Sequence, residues 1–199
     1  MTLPALDDVR LVPRSRNAAV PPLGWFGAIY HRGVTELPHG DAADDGAARA
    51  ARALADSGID HTITRHGRVR SLEEAAAARG VRPADVIKTM VVRRGKGDYL
   101  FVLVPGDREI SWPKLRTYLG VNRLSMPDAE KAREVTGYVR GTITPFGATT
   151  AWPVLADSTM TGHDISIGGG APGVAATAYA DDVIFALGAQ VADVTDPVG

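Results

Sequence analysis

Along 59–66 the chain alternates, with Ile59, His61 and Ile63 on one side and Asp60, Thr62 and Thr64 on the other. A period of two predicts a half-buried strand. The preceding 47–57 is rich in alanine, with Ala47, Ala50, Ala51 and Leu54 on one face and Gly58 after it, which predicts a helix closed by a left-handed residue. Ser71 and Glu74 stand at capping-box spacing and open a helix expected to stop at Gly80. Pro83 starts one more helical turn, at a position where a missing N–H costs nothing, and that turn delivers Lys88 to the mouth of the next strand.

The pattern then changes. Over 89–94 and 99–104 apolar residues follow one another without alternation, and a Gly-Lys-Gly-Asp turn joins the two runs. Such strands are expected to be covered on both faces. Helices are predicted over 111–119, capped by Ser111 and closed by Gly120, and over 127–135, with Gly137 past the end. Strands follow at 152–156, 163–167 and 174–178, the last two joined by the glycine turn 168–173, and a helix at 180–187 completes the pattern. Strands and helices mix without regular βαβ alternation, so the expected class is α+β: a curved mixed β-sheet, barrel-like, with helices outside. Residues 1–45 have little periodicity and read as an irregular extension with one ordered piece around Trp25 and Tyr30, ahead of a domain over 46–199.

Composition narrows the function. There is no cysteine, which excludes disulfides, thiolate nucleophiles and cysteine zinc sites. No apolar run approaches a membrane span and no secretory leader opens the chain, so the expectation is a soluble cytoplasmic protein. The formal net charge of −1 conceals a division: 79–140 holds 13 Lys/Arg against 7 Asp/Glu, whereas 141–199 holds 6 Asp and no Lys or Arg. A basic face of this kind can meet a polyanion locally, although uneven helix surfaces produce the same imbalance.

Two features carry candidate chemistry. Lys88 ends a helical turn, where a cation suits the negative helix end; it also enters a buried strand, where a fixed ammonium beside an apolar wall can grip a phosphate or polarise a carbonyl. The segment 137–147 holds Gly137, Gly141, Gly147 and Pro145, and glycines expose backbone amides to a ligand while the proline stiffens the bend. It is equally an ordinary connection between helix and strand. Asp107 and Asp157 sit at strand ends that could line a cleft. The five histidines have no metal-ligand spacing, no serine-nucleophile elbow exists, and 168–173 lacks the strand–loop–helix setting of a phosphate loop. Neither a metal nor a cofactor is expected.

The order of these motifs is similar to a known family. Val86-Ile87-Lys88-Thr89, then Leu103-Val104-Pro105-Gly106-Asp107, then Thr136-Gly137-Tyr138-Val139 with Gly141, Pro145, Phe146 and Gly147 resemble the YbaK/ProX aminoacyl-tRNA deacylases, which include the editing insertion of bacterial prolyl-tRNA synthetases. The resemblance runs from about Ala47 to Leu187. It implies a sheet closing toward a barrel and hydrolysis of mischarged aminoacyl-tRNA, with tRNA for proline bearing a small amino acid as the expected substrate. It places the essential lysine at Lys88 and the loop that positions the terminal adenosine and ester at 141–145, with Gly141 and Lys88 as the catalytic pair. Thr89, Met90, Gly137, Pro145, Phe146, Asp157, Gly168, Gly169 and Gly170 are then substrate-binding candidates. Arg93, Arg94, Lys96, Arg116 and Arg140 are tRNA-binding candidates, and prolyl-tRNA synthetase is a candidate partner. Some relatives carry a serine where this chain has Gly168 and an acidic residue where it has Ala175, which bears on the amino acid preferred. A different class of function on the same fold is a non-catalytic accessory module that holds tRNA or a synthetase.

Overall fold

The computed structural model describes residues 42–199. The piece expected around Trp25 and Tyr30 lies outside them. Helix α1 (Ala42–Ser57) leads into β1 (His61–Arg65). Helix α2 (Leu72–Arg79) starts as expected, with Ser71 Oγ accepting the Glu74 N–H at 3.1 Å; the Glu74 carboxylate reaches past the cap to the Arg70 N–H at 2.7 Å. A 3₁₀ turn (Pro83–Asp85) precedes β2 (Lys88–Gly95), and β3 (Asp98–Val104) returns from the hairpin. Then come β4 (Arg108–Ile110), α3 (Trp112–Leu119), α4 (Ala129–Thr136), β5 (Val154–Asp157), β6 (Asp164–Gly168), β7 (Val174–Tyr179), α5 (Ala180–Ala186), β8 (Gln190–Ala192) and β9 (Thr195–Pro197).

The strands make three sheets: β1-β7-β6, β2-β3-β5-β8 and β4-β9. The first is antiparallel throughout, while the second combines an antiparallel β2–β3 hairpin with parallel β3–β5 and β5–β8 pairs, so the fold is mixed as predicted. The first two sheets meet where Val86 bridges Ser166, with the Ile87 N–H donating to Ser166 O at 2.8 Å. Among the described residues no closed barrel forms; the curvature is that of sheets leaning together at this seam. No helix among them is long and apolar enough to cross a membrane.

The unbroken apolar run of β3 has a direct explanation. Tyr99, Phe101 and Leu103 face the main core with Ile165, Ile167, Ala176 and Ala178, while Leu100, Val102 and Val104 face a second core with Leu115, Leu155 and Val194. A strand buried on both sides cannot alternate in polarity.

Two expectations require correction, and three strands were missed. Ser111 precedes α3 but its side chain does not cap the helix; its hydroxyl engages Asp196 instead. Asp128 caps α4, accepting the Lys131 N–H at 2.8 Å, so that helix begins later than the apolar pattern implied. The short strands β4, β8 and β9 were not anticipated, because three residues are too few to establish a period.

Candidate functional site

Lys88 is the first residue of β2, in register with Val104. Its approach is fixed from below. Asp85 is buried and gripped by Arg82 through Nε at 2.7 Å and Nη2 at 2.8 Å, with His163 Nε2 3.1 Å away on the other sheet's side. The Asp85 carboxyl is held below its ordinary pKa, first by the bond from Arg82 against the opposing effect of burial. Together with the Val86–Ser166 bridge this anchor leaves Lys88 little freedom at its Cα.

The Lys88 amine is half-buried. It donates to Gly106 O at 3.0 Å, in the turn after β3, and to Arg108 O, at the start of β4. Desolvation lowers its pKa, and the charges of Asp107 and Glu109 pull in the opposite sense. Two carbonyl acceptors consume two of the three N–H bonds of an ammonium, and one is left for a ligand.

Lys88 lines a cleft of about 330 Å³ with Thr89, Met90, Arg140, Gly141, Ile143 and Gly168. The cleft floor continues through Met126, Pro127 and Asp128, and Arg79 reaches in from the end of α2. Lys88 and Gly141 therefore share one cavity. The Thr89 hydroxyl is buried and has no hydrogen-bond partner among the described residues. Beyond Lys88 lies a smaller pocket of about 210 Å³, lined by Val104, Glu109, Ile110 and Trp112 and sharing Lys88, Met90 and Met126 with the cleft.

Gly141 has φ +89°, and no atom lies within 4 Å of where a Cβ would sit. The requirement for glycine is conformational rather than steric. Its N–H makes no backbone hydrogen bond among the described residues, which leaves it free for a ligand. The loop around it is fastened at three points. The Gly170 N–H donates to Thr142 O at 3.2 Å, tying it to the glycine turn. The Tyr138 hydroxyl donates to Phe146 O at 2.7 Å across its neck. Arg49, from α1, donates to Gly137 O at 2.8 Å and Gly147 O at 3.3 Å while its guanidinium lies 4.9 Å from the centre of the Tyr138 ring.

The remaining candidates separate into groups. Gly168 lines the cleft, and a Cβ on it would come 2.9 Å from Ile143 O. Gly169 and Gly170 are buried behind that wall and support the loop through Gly169 N–H to Val174 O and the Gly170 bond. Gly137 is the left-handed cap of α4, Pro145 is half-buried in the loop, and Phe146 is packed in the main core; none of the three lines the cleft. Asp157 is fully buried at the end of β5, accepting from Thr159 N–H at 3.0 Å, the Thr159 hydroxyl, Val194 N–H at 3.1 Å and the Thr195 hydroxyl at 2.8 Å. It organises the β5–β9 corner rather than the cleft.

Among the basic candidates, Arg140 is on the cleft itself. Lys96 and Arg93 line a depression of about 660 Å³ that shares Met126, Pro127 and Asp128 with the cleft. Arg93, Arg94 and Arg116 line a further trough of about 610 Å³, with Arg94 tied to Asp98 at 2.8 Å. The depressions run into one another, so cations follow the surface from the cleft outward. Sequence reading missed Arg123 and Lys131 along this track, as well as Arg49 and Arg79. Arg49 and Arg79 occupy unremarkable helical positions, and only the docking of α1 and α2 turns them toward the loop and the cleft.

Comparison with known proteins gives the class of this domain. Residues 66–184 match the aminoacyl-tRNA editing domain family, and the chain belongs to it. A proline–tRNA ligase of Thermosipho africanus is 38% identical over 80 residues, covering 40% of this chain and 14% of the ligase. One of Heliobacterium modesticaldum is 37% identical over 105 residues, covering 52% and 18% respectively. The chain thus spans less than a fifth of the length of these relatives. A solved structure described as a candidate trans-editing enzyme for prolyl-tRNA synthetase superposes with a TM-score of 0.69 at 27% identity, covering 76% of this chain and 97% of that one.

Proposed function

We propose that this protein is a deacylase that hydrolyses the ester of mischarged aminoacyl-tRNA, acting in trans in the cytoplasm on tRNA for proline bearing a small amino acid. The observation that carries the reading is the presence of the Lys88 ammonium and the unengaged Gly141 amide on one cleft, in a chain of the editing family. Water attacks the ester carbonyl and the C=O electron pair moves onto oxygen. The spare Lys88 N–H and the Gly141 N–H stabilise that oxyanion. Collapse breaks the bond to the ribose oxygen, which leaves with a proton, and the free amino acid departs. The ribose hydroxyl next to the ester serves as the base for the water; Asp128, the one carboxylate that lines the cleft among the described residues, is engaged as the cap of α4 through the Lys131 N–H.

Thr89, Met90 and Gly168 surround the aminoacyl group in this reading, while Gly137, Pro145, Phe146, Asp157, Gly169 and Gly170 act through the walls that hold the loop and strands. Arg140, Arg93, Arg94, Lys96 and Arg116 contact the phosphates of the acceptor arm, which makes binding depend on salt. The relation of this chain's family to prolyl-tRNA synthetases supports tRNA for proline as the acceptor. The test is a panel of charged tRNAs incubated with the wild-type protein and with Lys88→Ala. Release of a small amino acid from tRNA for proline by the wild type, lost by at least about 100-fold in the folded variant, is the expected result. Tight, salt-sensitive tRNA binding with no release from any charged tRNA would overturn the hydrolase and leave an accessory tRNA-binding module.

A further inference from the structure

Arg79 is the half-buried arginine of the cleft, and no acidic partner explains its setting. Arg49, Arg82, Arg94 and Arg108 each lie within 4.0 Å of an aspartate, at Asp45, Asp85, Asp98 and Asp157. Arg79 makes no ion pair among the described residues; its Nε donates to His66 Nε2 at 3.3 Å. His66 Nδ1 lies 2.8 Å from Gly67 O, which fixes the proton on Nδ1 and leaves Nε2 as the acceptor that Arg79 needs. The guanidinium is thus oriented by an imidazole nitrogen and not by a carboxylate. Its four Nη hydrogens remain, and the residue lines the cleft.

Burial holds the Arg79 pKa below its usual value, and no carboxylate contributes to offset it. A half-buried guanidinium without an acid partner is unfavourable in the free protein and becomes favourable when an anion arrives. A planar fork of donors fits a phosphate, whereas an ester or an amino-acid side chain of small apolar type offers nothing for that charge. Arg140, the other arginine of the cleft, is exposed and stands on the loop.

We propose that Arg79 binds the phosphodiester on the 5′ side of the terminal adenosine, with His66 as the residue that orients it. This rests on the reading of the cleft as the site for the 3′ end of a charged tRNA. The phosphate would lie on the α2 side while the ribose faces Lys88 and Gly141, so one ligand spans both walls and is held at the nucleotide rather than at the amino acid.

The experiment compares the binding of adenosine, AMP and an uncharged RNA hairpin ending in CCA to the full chain, without any hydrolysis step. Wild-type protein should prefer AMP to adenosine by about ten- to 100-fold. Arg79→Gln should abolish that preference while adenosine affinity stays within about twofold, and Arg79→Lys, which keeps the charge without the fork, should retain part of it. The hairpin should compete with AMP. An unchanged AMP preference in folded Arg79→Gln overturns the proposal. So does an equal fall for adenosine and AMP, which would make Arg79 a structural support for α2. AMP binding that the hairpin cannot displace would assign the subsite to a free nucleotide and overturn it as well. If no charged tRNA is hydrolysed in the panel above, the catalytic reading fails, yet the adenosine–AMP contrast still decides the role of Arg79.

Discussion

Replacing Gly141 by alanine isolates one physical requirement of the cleft. With φ at +89° and nothing within 4 Å of the added methyl, the substitution creates no clash and removes no contact. The whole effect is backbone strain, about 1–2 kcal/mol for an L-residue held at left-handed φ. For a chain of this size each kcal/mol lowers the melting temperature by about 2–4 °C, so a fall of about 2–8 °C is expected if the loop keeps its shape. If the loop relaxes instead, stability is recovered and the Gly141 amide turns away from the oxyanion, at a cost of about 100- to 1,000-fold in turnover. The two outcomes trade off, and a calorimetric scan run beside a single-turnover deacylation assay separates them. Gly141→Asn, which tolerates positive φ better, should regain part of whichever property alanine loses. A variant with alanine that melts with the wild type and also hydrolyses at the wild-type rate would refute the idea that this dihedral aims a catalytic donor.

Other substitutions probe different walls. Gly168→Ser places a Cβ 2.9 Å from the backbone oxygen of Ile143, closer than a Cβ tolerates, so the strand or the loop backbone must shift; turnover should fall more than KM rises, and the reverse pattern would argue that position 168 only bounds the amino acid. Arg116→Gln or Arg123→Gln should each reduce the slope of log affinity against log salt for tRNA by about 0.7–0.9, and an unchanged slope would remove that trough from the tRNA path. Burial pushes the Asp157 pKa up, but the bonds from Thr159, Thr195 and Val194 outweigh it, and the net shift is downward. A depressed folded-state pKa adds stability above the unfolded value, and that increment disappears as pH falls through the folded value. Asp157→Asn should therefore cost about 1–3 kcal/mol at neutral pH and show a shallower loss of stability in acid. Acid limbs that run parallel in wild type and variant would contradict this.

How much of this was legible in the sequence depended on how local each cause is. The double-sided burial of β3 was readable because six consecutive buried residues leave a continuous apolar string. Glycine caps at Gly58, Gly80, Gly120 and Gly137 were readable because a left-handed residue has few alternatives. Lys88 and Gly141 stood out through the order of motifs around them, although neither composition nor periodicity could say that they face one cavity. The pairings β4–β9 and β5–β8 bring together short segments distant in sequence, and no local pattern encodes them. Arg79 and Arg49 drew no notice because nothing in the local pattern of their helices marks either position, and only tertiary packing brings them to the cleft and the loop. Ser111 misled because a hydroxyl before a helix usually caps it, whereas Asp196, far along the chain, competes for it.

The hold of Arg49 on both ends of the 137–147 loop has a practical corollary. The segment that defines family membership begins at residue 66, after α1 has ended. A shortened protein starting there would retain Lys88, Gly141 and Gly168 but would surrender the brace that keeps the neck of the loop shut. Such a fragment would look complete by motif and yet be slack around Gly141, so the minimal well-formed unit is longer than the minimal recognisable one.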